Sequence, residues 1–221
     1  MTPVEWKIPV ADAQTTAIYD EAAPGNAVFI CAHGAGGNIA DRATLATARA
    51  LGGQGIGVVR FNFLYREKKS GRPDPMPKLM ETFTAVAERA RSELNPDRLV
   101  IGGRSMGGRA ASMLAAEGYD ADGLLLLAYP LHPPGKPEQL RDAHLSRIRM
   151  PVLCFNGTRD PFCIRGLMDR VLASVTASWE MHWVEQADHS FHVPRSSGRT
   201  DAEVLALIAD VSRNWIERMS A

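Results

Sequence analysis

Six short apolar runs, at 27–32, 57–62, 99–103, 123–128, 152–156 and 179–184, recur along this chain with helix-length segments between most of them. A strand that is apolar on both faces needs cover on both faces, and crossover helices supply it. The alternation therefore predicts an α/β fold with a mostly parallel, twisted sheet and helices on both sides. Two earlier stretches, 4–10 and 15–19, read as a leading hairpin. The segment 78–94 places Leu79, Phe83, Val86, Ala90 and Leu94 at steps of three and four, and Asn95-Pro96 stops it. The last helix carries Val204, Ile208, Val211, Trp215 and Met219 in the same rhythm and is opened by Thr200 with Glu203 three residues on, a capping-box pattern. Both read as core-facing scaffold.

With 221 residues and 45% apolar content the chain can bury one sizeable core, so a single domain spanning 1–221 is expected. Lys plus Arg and Asp plus Glu balance at 25 each, which supplies no global field to attract nucleic acid or anionic lipid. The first ten residues mix Glu5 and Lys7 with scattered apolar residues and do not read as a signal peptide, and no run is long enough to cross a membrane. Of three cysteines, Cys31 and Cys154 lie inside apolar strands as small hydrophobes, so a cytoplasmic location is expected.

The strongest chemical signal is Gly103-Arg104-Ser105-Met106-Gly107, between the strand 99–103 and a helical stretch, 108–117. A hydroxyl becomes a useful nucleophile when a sharp strand-to-helix turn lifts it toward a base, and glycines permit that turn. Two more strand ends carry chemistry. The strand 152–156 runs into Gly157-Thr158-Arg159-Asp160-Pro161, and the strand 179–184 runs into Glu185-Gln186-Ala187-Asp188-His189-Ser190-Phe191. A nucleophilic serine needs a base, and the base needs a carboxylate to hold its tautomer, so Ser105, His189 and Asp160 are the candidates. His192 is the rival base. Asp188 is the rival acid, but as the chain neighbour of His189 it is poorly placed to aim at that ring. His182 falls within a strand, and His132 and His144 precede Asp160.

These elbow and turn motifs, with His33-Gly34-Ala35-Gly36-Gly37 after the strand 27–32 and the Asp188-His189-Ser190-Phe191 ending, resemble the α/β-hydrolase superfamily over nearly the whole chain. The resemblance implies the chain order serine, acid, histidine, which Ser105, Asp160 and His189 satisfy. It also implies two backbone N–H donors for an oxyanion: Met106, after the nucleophile, and Ala35, with Gly36 as the substitute. His33 is then expected to brace its loop. More narrowly, Phe61-Asn62-Phe63-Leu64-Tyr65 and the segment 129–136 are similar to a small group of hydrolases related to dienelactone hydrolases, to testis-expressed hydrolase-like proteins and to a regulatory subunit of the NSL chromatin complex. Dienelactone hydrolases use a cysteine where this chain has Ser105, so their lactone specificity does not carry over.

The expected activity is hydrolysis of a small ester or thioester through an acyl-enzyme. Acyl transfer by the same triad and a non-catalytic interaction module are the alternatives. No ligand cluster at metal spacing and no phosphate loop is seen, so no metal and no cofactor are expected. Some twenty residues separate Ala128 from Met150, too few for an inserted lid, so a shallow pocket for short acyl groups is expected. Tyr65, His132 and Lys136 are candidates for its entrance, with Gly36 beside them. The cluster Arg66, Lys68, Lys69 and Arg72 is interleaved with Glu67 and Asp74 and reads as a solvated loop. The quaternary state is expected to be monomer or homodimer.

Overall fold

A computed structural model describes residues 3–22 and 26–219. The ends of the expected 1–221 span and residues 23–25 lie outside them. Eight strands form one sheet: β1 (Val4–Val10), β2 (Ala13–Asp20), β3 (Ala27–Ala32), β4 (Ile56–Phe61), β5 (Arg98–Arg104), β6 (Gly123–Leu127), β7 (Val152–Gly157) and β8 (Trp179–Val184). Their order is β1-β2-β4-β3-β5-β6-β7-β8. The hairpin β1–β2 joins β4 antiparallel, with Ala17 opposite Phe61, and every pairing from β4 to β8 is parallel. All residues of β4, β6 and β7 are buried, as the unbroken apolar runs require of strands covered on both faces.

Among the described residues six helices provide that cover: α1 (Arg42–Gly52), α2 (Leu64–Glu67), α3 (Met76–Leu94), α4 (Met106–Ala116), α5 (Arg165–Leu172) and α6 (Asp201–Arg218). On one face Phe83 and Val86 of α3, Leu114 of α4 and Met168 of α5 pack on Val28, Ile30, Ile101 and Leu126. On the other, Leu51 of α1 and Ile208 and Trp215 of α6 pack on Phe29, Val58, Val100 and Leu125.

The predicted helix at 78–94 starts two residues earlier, because Pro77 fits the first turn, where its missing N–H is not needed. It ends where Asn95 turns left-handed at φ +40°. The Thr200–Glu203 capping box forms, with the Glu203 amide donating to Thr200 Oγ1 at 3.2 Å and the Thr200 amide to Glu203 Oε2 at 2.7 Å. Helix α1, which has no long apolar stripe to announce it, is nucleated by Asp41, whose carboxylate accepts the Thr44 amide at 2.9 Å. Because β3 to β8 run parallel, their carboxyl ends open on one side of the sheet, and there the motif loops gather. Between β6 and β7 there is no inserted helical layer, only loop and a short 3₁₀ turn, Leu145–Arg147. Among the described residues no helix is long and apolar enough to cross a membrane.

Candidate active site

At the turn from β5 into α4, Ser105 adopts φ +49° and ψ −116°, a conformation that side-chain-bearing residues rarely occupy. Its surroundings hold it there: the Ser105 amide donates to the Leu127 carbonyl at 2.9 Å, and its own carbonyl accepts the Arg109 amide at 2.9 Å. The glycines flanking it let β5 and α4 press against the end of β3. A Cβ on Gly103, whose φ is +143°, would sit 2.2 Å from the Ala32 carbonyl oxygen, and one on Gly107 would sit 2.6 Å from the same atom. Any larger residue would push the hydroxyl off the sheet end.

Beyond β7, Asp160 sits in a turn with its side chain fully buried. Its Oδ1 accepts the Phe162 amide at 2.8 Å, and its Oδ2 accepts both the Asn156 side-chain amide at 3.1 Å and His189 Nδ1–H at 2.8 Å. The same imidazole presents Nε2 to Ser105 Oγ at 2.9 Å. With Nδ1–H committed to a carboxylate, Nε2 is left with its lone pair toward the hydroxyl, the orientation that accepts a proton. Phe162 covers the ring, with centroids 4.2 Å apart. The His189 side chain is 22% exposed, so solvent and ligands reach it while the carboxylate behind it stays dry.

The rival residues stand elsewhere. The Asp188 carboxylate folds back on its own loop, accepting the Ser190 and His192 amides. His192 points outward and pairs with Asp201, whose hydrogen bond raises its pKa. His144 is buried against the Ser112 hydroxyl at 2.8 Å, and burial, reinforced by the charges of Arg109 and Arg147, lowers its pKa to about 4. This second serine–histidine contact is closed: Ser112 is fully buried and also donates to the Arg109 carbonyl. His182 lies on β8 against the Phe155 ring.

The loop after β3 passes directly beside the elbow, where a Cβ on Gly34 would lie 3.6 Å from that of Ser105. His33 ties this loop down. Its Nδ1–H donates to the Gly34 carbonyl at 2.7 Å and its Nε2 accepts the Phe63 amide at 3.2 Å, a neutral tautomer that burial favours by lowering the pKa. Among the described residues, neither the Ala35 nor the Met106 amide donates to a protein acceptor. Met106 is the first residue of α4, where the helix dipole adds positive potential. A Cβ on Gly36 would meet nothing within 4 Å, so that glycine is not sterically required.

Two residues expected at a pocket entrance are not there. Tyr65 is buried and its hydroxyl donates to the Ala35 carbonyl at 2.8 Å, and burial pushes its pKa to about 12. His132 is buried with both ring nitrogens engaged, Nδ1 on the Pro133 carbonyl and Nε2 on the Ile164 amide. Each braces a loop, Tyr65 the one after β3 and His132 the one carrying Asp160; only Lys136 remains exposed. Sequence reading missed Asn156, which holds Asp160 and also brackets Tyr129 through its amide and carbonyl. A buried amide at the end of an apolar strand, four residues before the acid, was the available signal.

Residues 25–217 match the family described as "Alpha/beta hydrolase domain". Among solved structures, the chain is similar to an alpha-beta serine hydrolase homologue from Coxiella burnetii, at 21% identity and a TM-score of 0.77, over 95% of this chain and 97% of that one. It is similar to a dienelactone hydrolase from Anabaena variabilis, at 17% identity and a TM-score of 0.76, over 99% of both chains. It also resembles a serine hydrolase without lid from Xanthomonas campestris, at 22% identity and a TM-score of 0.75, over 97% of this chain and 95% of that one. At these identities the likeness is one of fold.

Proposed function

Since this chain belongs to the alpha/beta hydrolase domain family, we propose that it is a serine hydrolase that cleaves a small ester or thioester through an acyl-enzyme on Ser105. The observation that carries this reading is the single imidazole of His189 bridging Asp160 Oδ2 at 2.8 Å and Ser105 Oγ at 2.9 Å. His189 Nε2 takes the hydroxyl proton as Oγ attacks the substrate carbonyl, and Asp160 stabilises the resulting imidazolium. The oxyanion is received by the Met106 and Ala35 N–H groups. His189 then returns the proton to the departing alcohol or thiol. Water attacks the acyl-enzyme with His189 again as base, releasing the acid and restoring the serine.

The absence of an inserted layer between β6 and β7, and the likeness to a lidless hydrolase, favour short acyl chains. Carboxylesterase or thioesterase chemistry follows from the triad, with the substrate a small molecule and neither nucleic acid nor membrane as partner. The three cysteines are free and buried, which supports a reducing, cytoplasmic setting. The segments 61–65 and 129–136 support the narrower kinship with testis-expressed hydrolase-like proteins and the NSL subunit. The protein works as a monomer or a homodimer, with β1 and β8 as the outer strands of the sheet.

The test is labelling with a fluorophosphonate probe, followed by turnover of p-nitrophenyl acetate and butyrate. Labelling is expected in the wild type and lost in Ser105→Ala and His189→Ala, with turnover reduced about 10⁴-fold or more. A folded wild-type protein that neither labels nor turns over would make the interaction-module reading the correct one.

A further inference from the structure

Phe162 lies against the candidate base while remaining partly open to solvent. Its ring is tilted 31° to the His189 imidazole, with centroids 4.2 Å apart, which puts the two rings in contact. Both of its backbone groups are tied down. The Phe162 amide donates to Asp160 Oδ1 at 2.8 Å, and its carbonyl accepts the His132 amide at 3.0 Å. The next residue, Cys163, is buried and anchors the turn in the core. The ring is therefore held beside the imidazole by the same turn that presents the acid. What this turn offers to solvent is apolar: Pro161 is exposed, and Ile164 is 46% exposed. Its charged side chains are engaged elsewhere. Asp160 is buried, Arg159 Nη1 donates to the Gln186 carbonyl at 3.3 Å, and the Arg165 guanidinium lies over the Trp183 ring at 5.6 Å.

In acylation the proton that leaves Ser105 Oγ passes from His189 Nε2 to the departing oxygen, so that oxygen must come within about 3 Å of Nε2. The first atoms of the leaving group then lie at the edge of the imidazole, whereas the acyl chain extends from the carbonyl carbon away from it. A side chain that touches the imidazole and is open to solvent borders the leaving-group side. We propose that Phe162, extended by Ile164, is a specificity-determining residue that receives the leaving group of the substrate and selects esters of apolar, ring-bearing alcohols. The proposal rests on the hydrolase reading of Ser105 and adds which half of the ester is selected. A ring laid on Phe162 removes apolar area of both from water and gains an offset-stacked contact. After it departs, water takes the same place at Nε2, so the selection acts on acylation and is read in kcat/KM.

The experiment compares two ratios of kcat/KM. Benzyl acetate over 2-methoxyethyl acetate sets an aromatic against a polar leaving group of similar acidity on one acyl group. Methyl phenylacetate over methyl 3-methoxypropanoate, the isomers of those two esters, makes the same comparison on the acyl half. In the wild type the first ratio is expected to be about ten or more. Phe162→Ala is expected to bring it to near one with little change in the second ratio, Phe162→Leu to retain part of it, and Ile164→Ser to lower it by a smaller factor. Phe162→Leu, which keeps the turn filled, decides the matter where the alanine variant does not fold. A first ratio near one in the wild type, or Phe162 variants that slow all four esters alike, would overturn the proposal while leaving the hydrolase reading intact. If no ester is cleaved and Ser105 does not label, the hydrolase reading fails and the leaving-group site falls with it. If Ser105 labels but none of the four esters is turned over, protection from the fluorophosphonate decides. Benzyl alcohol that slows labelling more than 2-methoxyethanol does, with the difference lost in Phe162→Leu or Phe162→Ala, supports the site; equal protection by the two alcohols overturns it.

Discussion

The Asn156 side-chain amide donates at 3.1 Å to the Asp160 oxygen that also accepts the His189 ring. This oxygen therefore carries two donors, while the other is held by the Phe162 amide at 2.8 Å. The carboxylate is buried, so its orientation depends on these bonds rather than on water. The loop that presents it is fixed in turn through His132, whose Nε2 accepts the Ile164 amide. In this chain the acid is aimed by the strand that precedes it.

Asn156→Ala should strip a donor from Asp160 and leave the Tyr129 amide and carbonyl unpaired in a buried place. A loss of about 2–4 kcal/mol in urea unfolding is expected, with kcat down about tenfold. Asn156→Asp is the sharper test. A second carboxylate beside Asp160 makes the pair share a proton more readily. The acidic limb of the kcat/KM profile should move to higher pH, and an unmoved limb would reduce Asn156 to a purely structural role.

Ser105 sits at positive φ, so the cost of its backbone can be separated from the value of its hydroxyl. Ser105→Ala and Ser105→Gly both remove the hydroxyl. Only glycine relieves the strain, and it should unfold later than the alanine variant by about 1 kcal/mol, or about 2–4 °C for a chain of this size. Thermal denaturation of the two variants decides it. Equal midpoints would mean that the elbow stores no strain.

Most of the sheet, the elbow and the turns holding Asp160 and His189 could be read from sequence because each rests on local pattern. Apolar runs mark strands buried on both faces, glycines mark close approach, and chain order singles out Ser105, Asp160 and His189, which the fold brings into one hydrogen-bonded chain. What escaped depends on tertiary position. Nothing in the sequence around Tyr65 or His132 says that each would turn inward to brace a loop, because their partners, Ala35 and Ile164, lie 30 and 32 residues away. Helix α1 escaped because its stability comes from a cap and from packing under α6 rather than from a long apolar stripe. Asn156 was hidden by its own strand, where it read as the last residue of an apolar run.

Acid should weaken the fold through its buried neutral histidines. His144 has a folded pKa of about 4, lowered first by burial and then by Arg109 and Arg147, against about 6.5 unfolded. His33 is lowered too, by burial. A depressed histidine pKa means that the unfolded chain binds more protons, so stability is full above the unfolded value and is lost as pH falls from about 6.5 toward 4. Urea unfolding between pH 7 and 4.5 should show this slope, and His144→Asn should flatten it. An unchanged slope would place the acid sensitivity elsewhere.

Tyr65 gives a way to test the loop after β3 without touching the triad. Its hydroxyl donates to the Ala35 carbonyl, while its ring packs beside His33 and Phe63. Tyr65→Phe keeps the packing and deletes one hydrogen bond, which should cost only about 1 kcal/mol in stability. The Tyr65 bond fixes the Ala35–Gly36 peptide, which carries the Gly36 N–H and adjoins the Ala35 N–H, so if this loop receives the oxyanion, loosening that peptide should lower kcat by about three- to tenfold with little change in KM, because the interaction is made only in the transition state. A rise in KM at constant kcat would instead assign the loop to ground-state binding. With neither parameter changed, the second oxyanion donor would not depend on the peptide that Tyr65 holds.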